Sequence, residues 1–281
     1  MTETFINLGC GHVFVDSPEW INLDFSSVAP SVRRANLLAR LPLPSEGAKL
    51  VYASHFLEHI PKPDVAAFLK ECHRVLEPGG VLRLVLPDLQ EMASSYLRYR
   101  EAGDHVRADF LVMEIIDQCV RRTAGGELGR FYRSLRVESL VDQAEMNAFV
   151  RERNGEDLEA QAASPQKPIM KLRWGELALL SYRLCNRLQR AWLQLWLLGL
   201  PAVFRSQNVS LASVGERHHW LWDFYQLQQA LEVAGFTAIE RCSAQTSAIA
   251  NFPFYPLDVD AECNPRKGVG SMYIEAIKPS L

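Results

Sequence analysis

Paired cysteines are missing. Cys10, Cys72, Cys119, Cys185, Cys242 and Cys263 are scattered through 281 residues, and no C-x-x-C occurs. That spacing argues against a zinc knuckle or a disulfide framework and for a reducing, cytoplasmic compartment. No basic-then-apolar leader precedes the first strand-like run, FINLG, so no secretory signal is expected. The most apolar stretch, AWLQLWLLGLPAVF (191–204), falls short of the roughly 20 residues a spanning helix needs. The formal net charge of −3 leaves no basic excess, so no nucleic-acid partner is expected. There is no internal repeat and no low-complexity tract. What is present is an ordinary globular composition, 48% hydrophobic, long enough for one large domain or one domain with a large insertion.

Short β runs dominate the N-terminal part: FINLG (5–9), WINLD (20–24) and KLVYAS (49–54). PDVAAFLKECHRVL (63–76) is an amphipathic helix, with Val65, Phe68, Leu69, Cys72, Val75 and Leu76 at helical spacing and Pro78-Gly79-Gly80 beyond its end. GVLRLVLP (80–87) is a continuous apolar strand of the kind buried on both faces of a parallel sheet. Strands alternating with helices predict an α/β fold. From about residue 89 the period-2 pattern stops, and helix-like segments run to about 216. A helix (DFYQLQQALEVAGF) and two strands (TAIERCSA and SMYIEAIK) then complete the chain. The expected organisation is an α/β core made of 1–88 and 217–281, interrupted by a helical insertion or cap over 89–216. The polar run 151–168 is the expected mobile loop.

The turn after the first strand is Gly9-Cys10-Gly11-His12. Glycines there let backbone approach a ligand at the carboxyl end of the strand. A dinucleotide fingerprint would place a third small residue at position 14, which is Phe14, and Pro18 leaves no room for a phosphate-binding helix. Asp24 ends the second strand, where an acid can accept from a ribose diol.

The order NLGCG, WINLD, ANLLARLP, VYASHFLEHI, ECHRVLEPGGVLRLVLPDL resembles the class I S-adenosylmethionine-dependent methyltransferases, within them the type 11 group. The resemblance covers roughly 1–88 and 217–281 and implies a Rossmann-like parallel sheet with an antiparallel C-terminal strand. It also implies S-adenosyl-L-methionine as cofactor, with S-adenosyl-L-homocysteine as product. Gly9, Cys10 and Gly11 would pass under the methionine part, Asp24 would hold the ribose, Asn36 and Leu37 would lie beside the adenine, and Ser54 and His55 would border the methyl. Asn7 stands where many relatives carry an acid, and Asn36 where Asp is commoner. A cofactor without phosphates dispenses with a helix N-terminus, which accounts for the short loop.

His55-Phe-Leu-Glu58-His59 is formally H-x-x-E-H, a zinc-protease pattern. Pro61 cuts any helix there short and no third ligand is evident, so no metal is expected. His59 reads as a packed histidine that shapes the loop, and Glu58 as an acceptor for nearby backbone N–H groups. In GERHHWLWDFYQ (215–226), His218 and His219 precede the late helix. His55 and His219 are the candidates for catalytic proton transfer. Trp220, Trp222, Phe224 and Tyr225 would line a pocket or join the core.

Lys167, Lys171, Arg173, Arg183, Arg187, Arg190 and Arg205 make 167–205 basic, against Glu176 alone. Arg183, Arg187 and Arg190 share one helical stripe. A membrane surface is one reading of this segment; a helix buried in the insertion or in a homodimer interface is the favoured one. The expected activity is transfer of a methyl group to an oxygen or nitrogen of a small-molecule acceptor. The alternatives are a membrane-peripheral enzyme acting on a glycan or lipid-linked acceptor, and a non-catalytic cofactor-binding partner protein.

Overall fold

The structure is a computed structural model and describes residues 3–27, 29–137, 143–158, 188, 191–193, 195–210 and 215–280. Seven strands form one sheet: β1 (Phe5–Leu8), β2 (Trp20–Asp24), β3 (Val32–Arg34), β4 (Ala48–Ser54), β5 (Leu76–Pro87), β6 (Thr237–Cys242) and β7 (Ser271–Ile277). Their order is β3-β2-β1-β4-β5-β7-β6. The first five run parallel, and β7 runs antiparallel to both β5 and β6. This is the α/β sheet that the sequence pattern predicts, in the Rossmann-like form with an antiparallel C-terminal strand that the resemblance implies. Only β3 is unanticipated, because three residues with one buried side chain, Val32, are too short to show a period.

The run Gly80–Pro87 of β5 is buried throughout because the sheet is covered on both faces. On one face α1 (Lys62–Val75) lays down Val65, Phe68, Leu69, Cys72 and Val75. Pro61 and Pro63 start that helix, and Leu76 ends it by turning directly into β5. The late helix Phe224–Val233 packs beside it through Leu227 and Leu231. On the other face Phe252, Leu257 and Val259 cover Leu50, Tyr52, Val85 and Tyr273. Arg83 of β5 is fully buried under this cover. Its guanidinium donates to Asp258 at 2.8 Å, to Glu275 at 2.6 Å and to the carbonyls of Ser243 and Thr246 at 2.9 and 3.0 Å. Tyr52 donates to the second oxygen of Asp258 at 2.7 Å.

Between β5 and the late helix, every regular element among the described residues is helical: α2 (Leu89–Glu101), α3 (His105–Val112), a π turn (Met113–Asp117), a short turn (Gln118–Val120), α4 (Gly126–Val137), α5 (Gln143–Asn154) and Ala202–Asn208. Phe110, Leu111, Leu128, Leu135, Met146, Phe149 and Val150 form a hydrophobic cluster of their own there. Asp88 caps α2 and receives Arg241 at 2.6 Å, while the amide of Leu89 donates to the carbonyl of Trp222 at 3.0 Å. The chain therefore leaves the sheet and returns to it at one point.

Residues 159–168 of the expected loop, and Lys167, Lys171, Arg173, Glu176, Arg183, Arg187 and Arg190 of the basic segment, lie outside the described residues. Arg205 is described and donates to the carbonyl of Leu197 at 3.1 Å.

Candidate functional site

The short β1–β2 connection is held by two asparagines rather than by a helix. Asn7 and Asn22 are register partners on adjacent strands, both buried. Asn7 donates to the carbonyl of Val13 at 3.1 Å and Asn22 to that of Val15 at 3.0 Å. Asn7 is thus committed to the loop, which accounts for an amide at a position where the resemblance suggests an acid. The loop's own start is fixed from below: the amide of Gly9 donates to the carbonyl of Leu23 at 2.9 Å, and the amide of Gly11 to Asp24 Oδ2 at 2.9 Å.

Above this loop opens a cleft of about 520 Å³, lined by Gly9, Gly11, Asp24, Asn36, Leu37 and His55 among others. Six of the eight residues expected to hold the cofactor therefore share one cavity at the carboxyl ends of β1, β2 and β4. Cys10 and Ser54 are not among its lining residues. Cys10 is buried, and burial with the nearby Asp24 charge pushes its thiol up to about 12. Asp24 also accepts from the amide of Ser26 at 2.8 Å, so it is fixed in place with lone pairs to spare. Asn36 uses its side-chain oxygen to accept from Leu38 N–H at 3.1 Å.

His55 stands at the end of β4 with φ +49°, held by its amide on the carbonyl of Val85 at 2.7 Å. Its Nε2 lies 3.0 Å from Ser271 Oγ. Ser271 spends its only hydroxyl proton on the carbonyl of Lys267 at 3.0 Å, so His55 Nε2 must be the donor to Ser271. That leaves a lone pair on Nδ1, 3.3 Å from Glu58 Oε1. His59 lies one residue beyond Glu58. Its Nδ1 donates to the carbonyl of Arg217 at 2.9 Å, which leaves Nε2 as a lone pair 4.0 Å from the same Glu58 oxygen. The fold also brings in His218, with Nε2 4.0 Å from Glu58 Oε1 and its ring 4.8 Å from that of His59.

Glu58 is fully buried and neither carboxylate oxygen has a hydrogen-bond partner. The expected service to backbone N–H groups therefore goes no further than the pull of its own amide. It is the backbone carbonyl of Glu58 that accepts from the amide of His219, at 2.7 Å. Burial pushes the Glu58 carboxyl up to about 8, against the pull of its own amide and of Lys267. Burial also pulls His218 down to about 3, and drives His55 well below the usual histidine value with help from the Lys267 charge. His59 is lowered as well, again chiefly by burial.

His219 is not brought into the site. Its side chain is exposed and lines neither cavity described here, so the inward-facing histidine of this segment is its neighbour, His218. Sequence spacing alone does not separate two adjacent histidines. Trp222 is core, Trp220 and Phe224 pack against the core, and Tyr225 is exposed. A second cavity of about 450 Å³ lies beyond His55 and His59, lined by Gln118, Arg121, Tyr132, Asn154, His218 and Lys267 among others. Lys267 and Ser271 carry no motif that marks them in advance.

Residues 17–84 match the family model described as "Methyltransferase domain". The match covers β2 to most of β5, part of the sheet that carries the cleft. S-adenosylmethionine is the cofactor the match points to, and a glycine loop with Asp24 at the strand end beside it fits a cofactor without phosphates. No curated protein matches the chain. Among solved structures, an S-adenosylmethionine-dependent methyltransferase from Mesorhizobium loti is similar at 24% identity and TM-score 0.27, over 30% of this chain and 47% of that one. This chain thus spans about half the length of that protein. A methyltransferase from Archaeoglobus fulgidus is similar over 98% of this chain and 86% of that one, at 12% identity and TM-score 0.40. A possible histamine N-methyltransferase from Thermotoga maritima is similar at 12% identity and TM-score 0.38, over 98% of this chain and 81% of that one.

Proposed function

We propose that this chain methylates an oxygen or nitrogen of a small, polar acceptor, and that the acceptor occupies the cavity behind the cofactor cleft. One observation carries the reading: the 520 Å³ cleft and the 450 Å³ cavity share His55, His59 and Gly215 as a common wall. S-adenosylmethionine supplies the activated methyl group on its sulfonium. Gly9 and Gly11 let the backbone approach it, Asp24 takes the ribose hydroxyls, and Asn36 with Leu37 borders the base. The helical segment 89–216 acts as a cap on a core made of 1–88 and 217–281, since Gln118, Arg121, Tyr132 and Asn154 line the acceptor side. Catalysis rests mainly on positioning and exclusion of water. Where the acceptor keeps its proton, His55 Nδ1 is the lone pair available to take it. The described cysteines, Cys10, Cys72, Cys119, Cys242 and Cys263, are free thiols, which supports a cytoplasmic location.

A second reading keeps the acceptor at a membrane surface, on a glycan or lipid-linked group. Trp192, Leu195, Trp196 and Leu198 are all exposed, next to the basic part of the sequence. No helix among the described residues is long and apolar enough to cross a membrane.

The test is calorimetric titration with S-adenosylhomocysteine. Asp24→Asn should lose about 1–3 kcal/mol of affinity, the cost of an unsatisfied buried polar contact. Unchanged affinity removes the ribose assignment. Turnover assays with small acceptors, with and without anionic vesicles, separate the two acceptor readings.

A further inference from the structure

The wall between the two cavities is built from hydrogen-bond acceptors that face one another. His55 Nδ1 and His59 Nε2 present lone pairs, because their other nitrogens donate to Ser271 and to the carbonyl of Arg217. Both look towards a fully buried Glu58 whose two oxygens lack hydrogen-bond partners. His218 closes the group from the returning chain, its Nδ1 likewise without a partner. Lone pairs converging on a buried carboxylate repel unless something positive lies between them. One proton on Glu58 can do this for one contact only.

We propose that Glu58, His59 and His218 form a binding site for a divalent transition-metal ion of the zinc type. Their donor atoms all lie within 4.8 Å of one another. Zinc takes nitrogen at about 2.0–2.1 Å and carboxylate oxygen at about 2.0–2.2 Å, which sets ligands roughly 3.4 Å apart in a tetrahedron. Closing the 4.0 Å separations of His59 and His218 from Glu58 Oε1 to that spacing would take a shift of about 0.6 Å at each pair. Two imidazoles and a carboxylate suit zinc, cobalt or nickel better than magnesium or calcium. The Nδ1–H bond of His59 to the Arg217 carbonyl is the kind of outer contact that fixes the tautomer of a ligating histidine. The third ligand, whose lack argued against a metal in the H-x-x-E-H reading, comes from the segment that follows the helical cap. Three protein ligands leave a coordination position for water or an acceptor atom on the side of the second cavity. Lys267 is the charged neighbour that competes for the Glu58 oxygens. The site stands apart from the methyl-transfer reading: either can fail without the other.

The experiment is metal titration of the full chain after chelator treatment and gel filtration. Co²⁺ should bind at one equivalent and develop the visible absorption of a tetrahedral centre, and Zn²⁺ should displace it stoichiometrically. His218→Ala should weaken binding by about 100-fold or more, the upper end of what even outer-shell losses cost. His12→Ala and His105→Ala, both at exposed histidines, should leave it unchanged. Circular dichroism and S-adenosylhomocysteine titration report whether the His218 variant is folded. Histidine ¹⁵N spectra of the unmutated protein give an independent readout, because zinc should shift the ring nitrogens of two histidines and no others. The proposal is overturned if Co²⁺ gives no such spectrum, if binding survives His218→Ala in the folded variant, or if zinc shifts only surface histidines.

Discussion

Replacing Gly9 and Gly11 by alanine, one at a time, should give two different kinds of damage. Both glycines have positive φ, +66° and +51°. An L-residue in that left-handed region costs about 1–2 kcal/mol. At Gly11 a Cβ would meet nothing within 4 Å, so that conformational cost is the whole folding penalty. At Gly9 a Cβ would stand 2.6 Å from Cδ2, 2.9 Å from Cγ and 3.2 Å from Cβ of Phe56. Cγ and Cβ belong to the root of that side chain, so turning the ring does not clear the clash. Phe56 is also braced by Phe68, at 5.4 Å between ring centres. Overpacking of this sort adds about 1–3 kcal/mol, so Gly9→Ala should lose roughly 2–5 kcal/mol in all. Urea unfolding followed by fluorescence measures both. Titration with S-adenosylhomocysteine should rank them the other way per unit of stability lost, since the space a Cβ would fill at Gly11 belongs to the cleft. Equal unfolding midpoints for the two variants would refute the steric account of Gly9.

Arg83→Met should destabilise the fold by about 3–5 kcal/mol in urea unfolding, because it strands the Asp258 and Glu275 carboxylates in the interior. Asp117 is nearly buried and accepts from the amide of Glu127 at 2.8 Å and from Arg121 at 2.8 Å. Burial raises its pKa, but the amides of Glu127 and Leu128 and the Arg121 pair outweigh that and hold it below the ordinary 3.8. A lowered folded-state pKa means its stabilisation is present above the unfolded value and lost as pH falls through the folded one. Asp117→Asn should therefore cost stability at pH 6, and the gap to the unmutated protein should narrow at the acid end of the folded range. An undiminished gap there contradicts the assignment. If His55 is the proton acceptor, His55→Ala should lower kcat by about 10²–10⁴-fold with cofactor affinity nearly intact. A variant that retains full kcat with a protonated acceptor removes it from that role.

The sheet was legible in the chain because its strands are unmixed in period: Gly80–Pro87 is apolar at every position but Arg83, as suits a strand covered on both faces. The α1 face and its two prolines were equally plain. β3 was not, since Val32 alone carries its signal. The glycine loop and Asp24 were read from strand-end position, which is a local property, and His55 from the resemblance; the structure places all of them at one cleft. The Glu58 group was only half visible. His55, Glu58 and His59 are close in sequence, but the choice between His218 and His219 depends on how a returning segment meets a turn 160 or so residues away, roughly the reach of topology rather than of periodicity. Lys267 and Ser271 lie in a loop with no pattern, and their part is set by tertiary placement alone. The asparagine pair across β1 and β2 was likewise hidden, because its meaning depends on strand register.

Asp88 and Trp222 meet in a single parallel bridge where the chain departs from the sheet and rejoins it. A segment whose two ends meet is an exchangeable module. A linker of a few residues joining Asp88 to Trp222 would spare β1–β7 and the glycine loop, while removing Gln118, Arg121, Tyr132, Asn154 and His218 together. On the proposed function, grafting a foreign helical segment between the same two residues would change the acceptor cavity while removing only Gly215 from the lining of the cofactor cleft. The geometry of that one junction would make the second cavity and most of the cofactor cleft separable inheritances of a single chain.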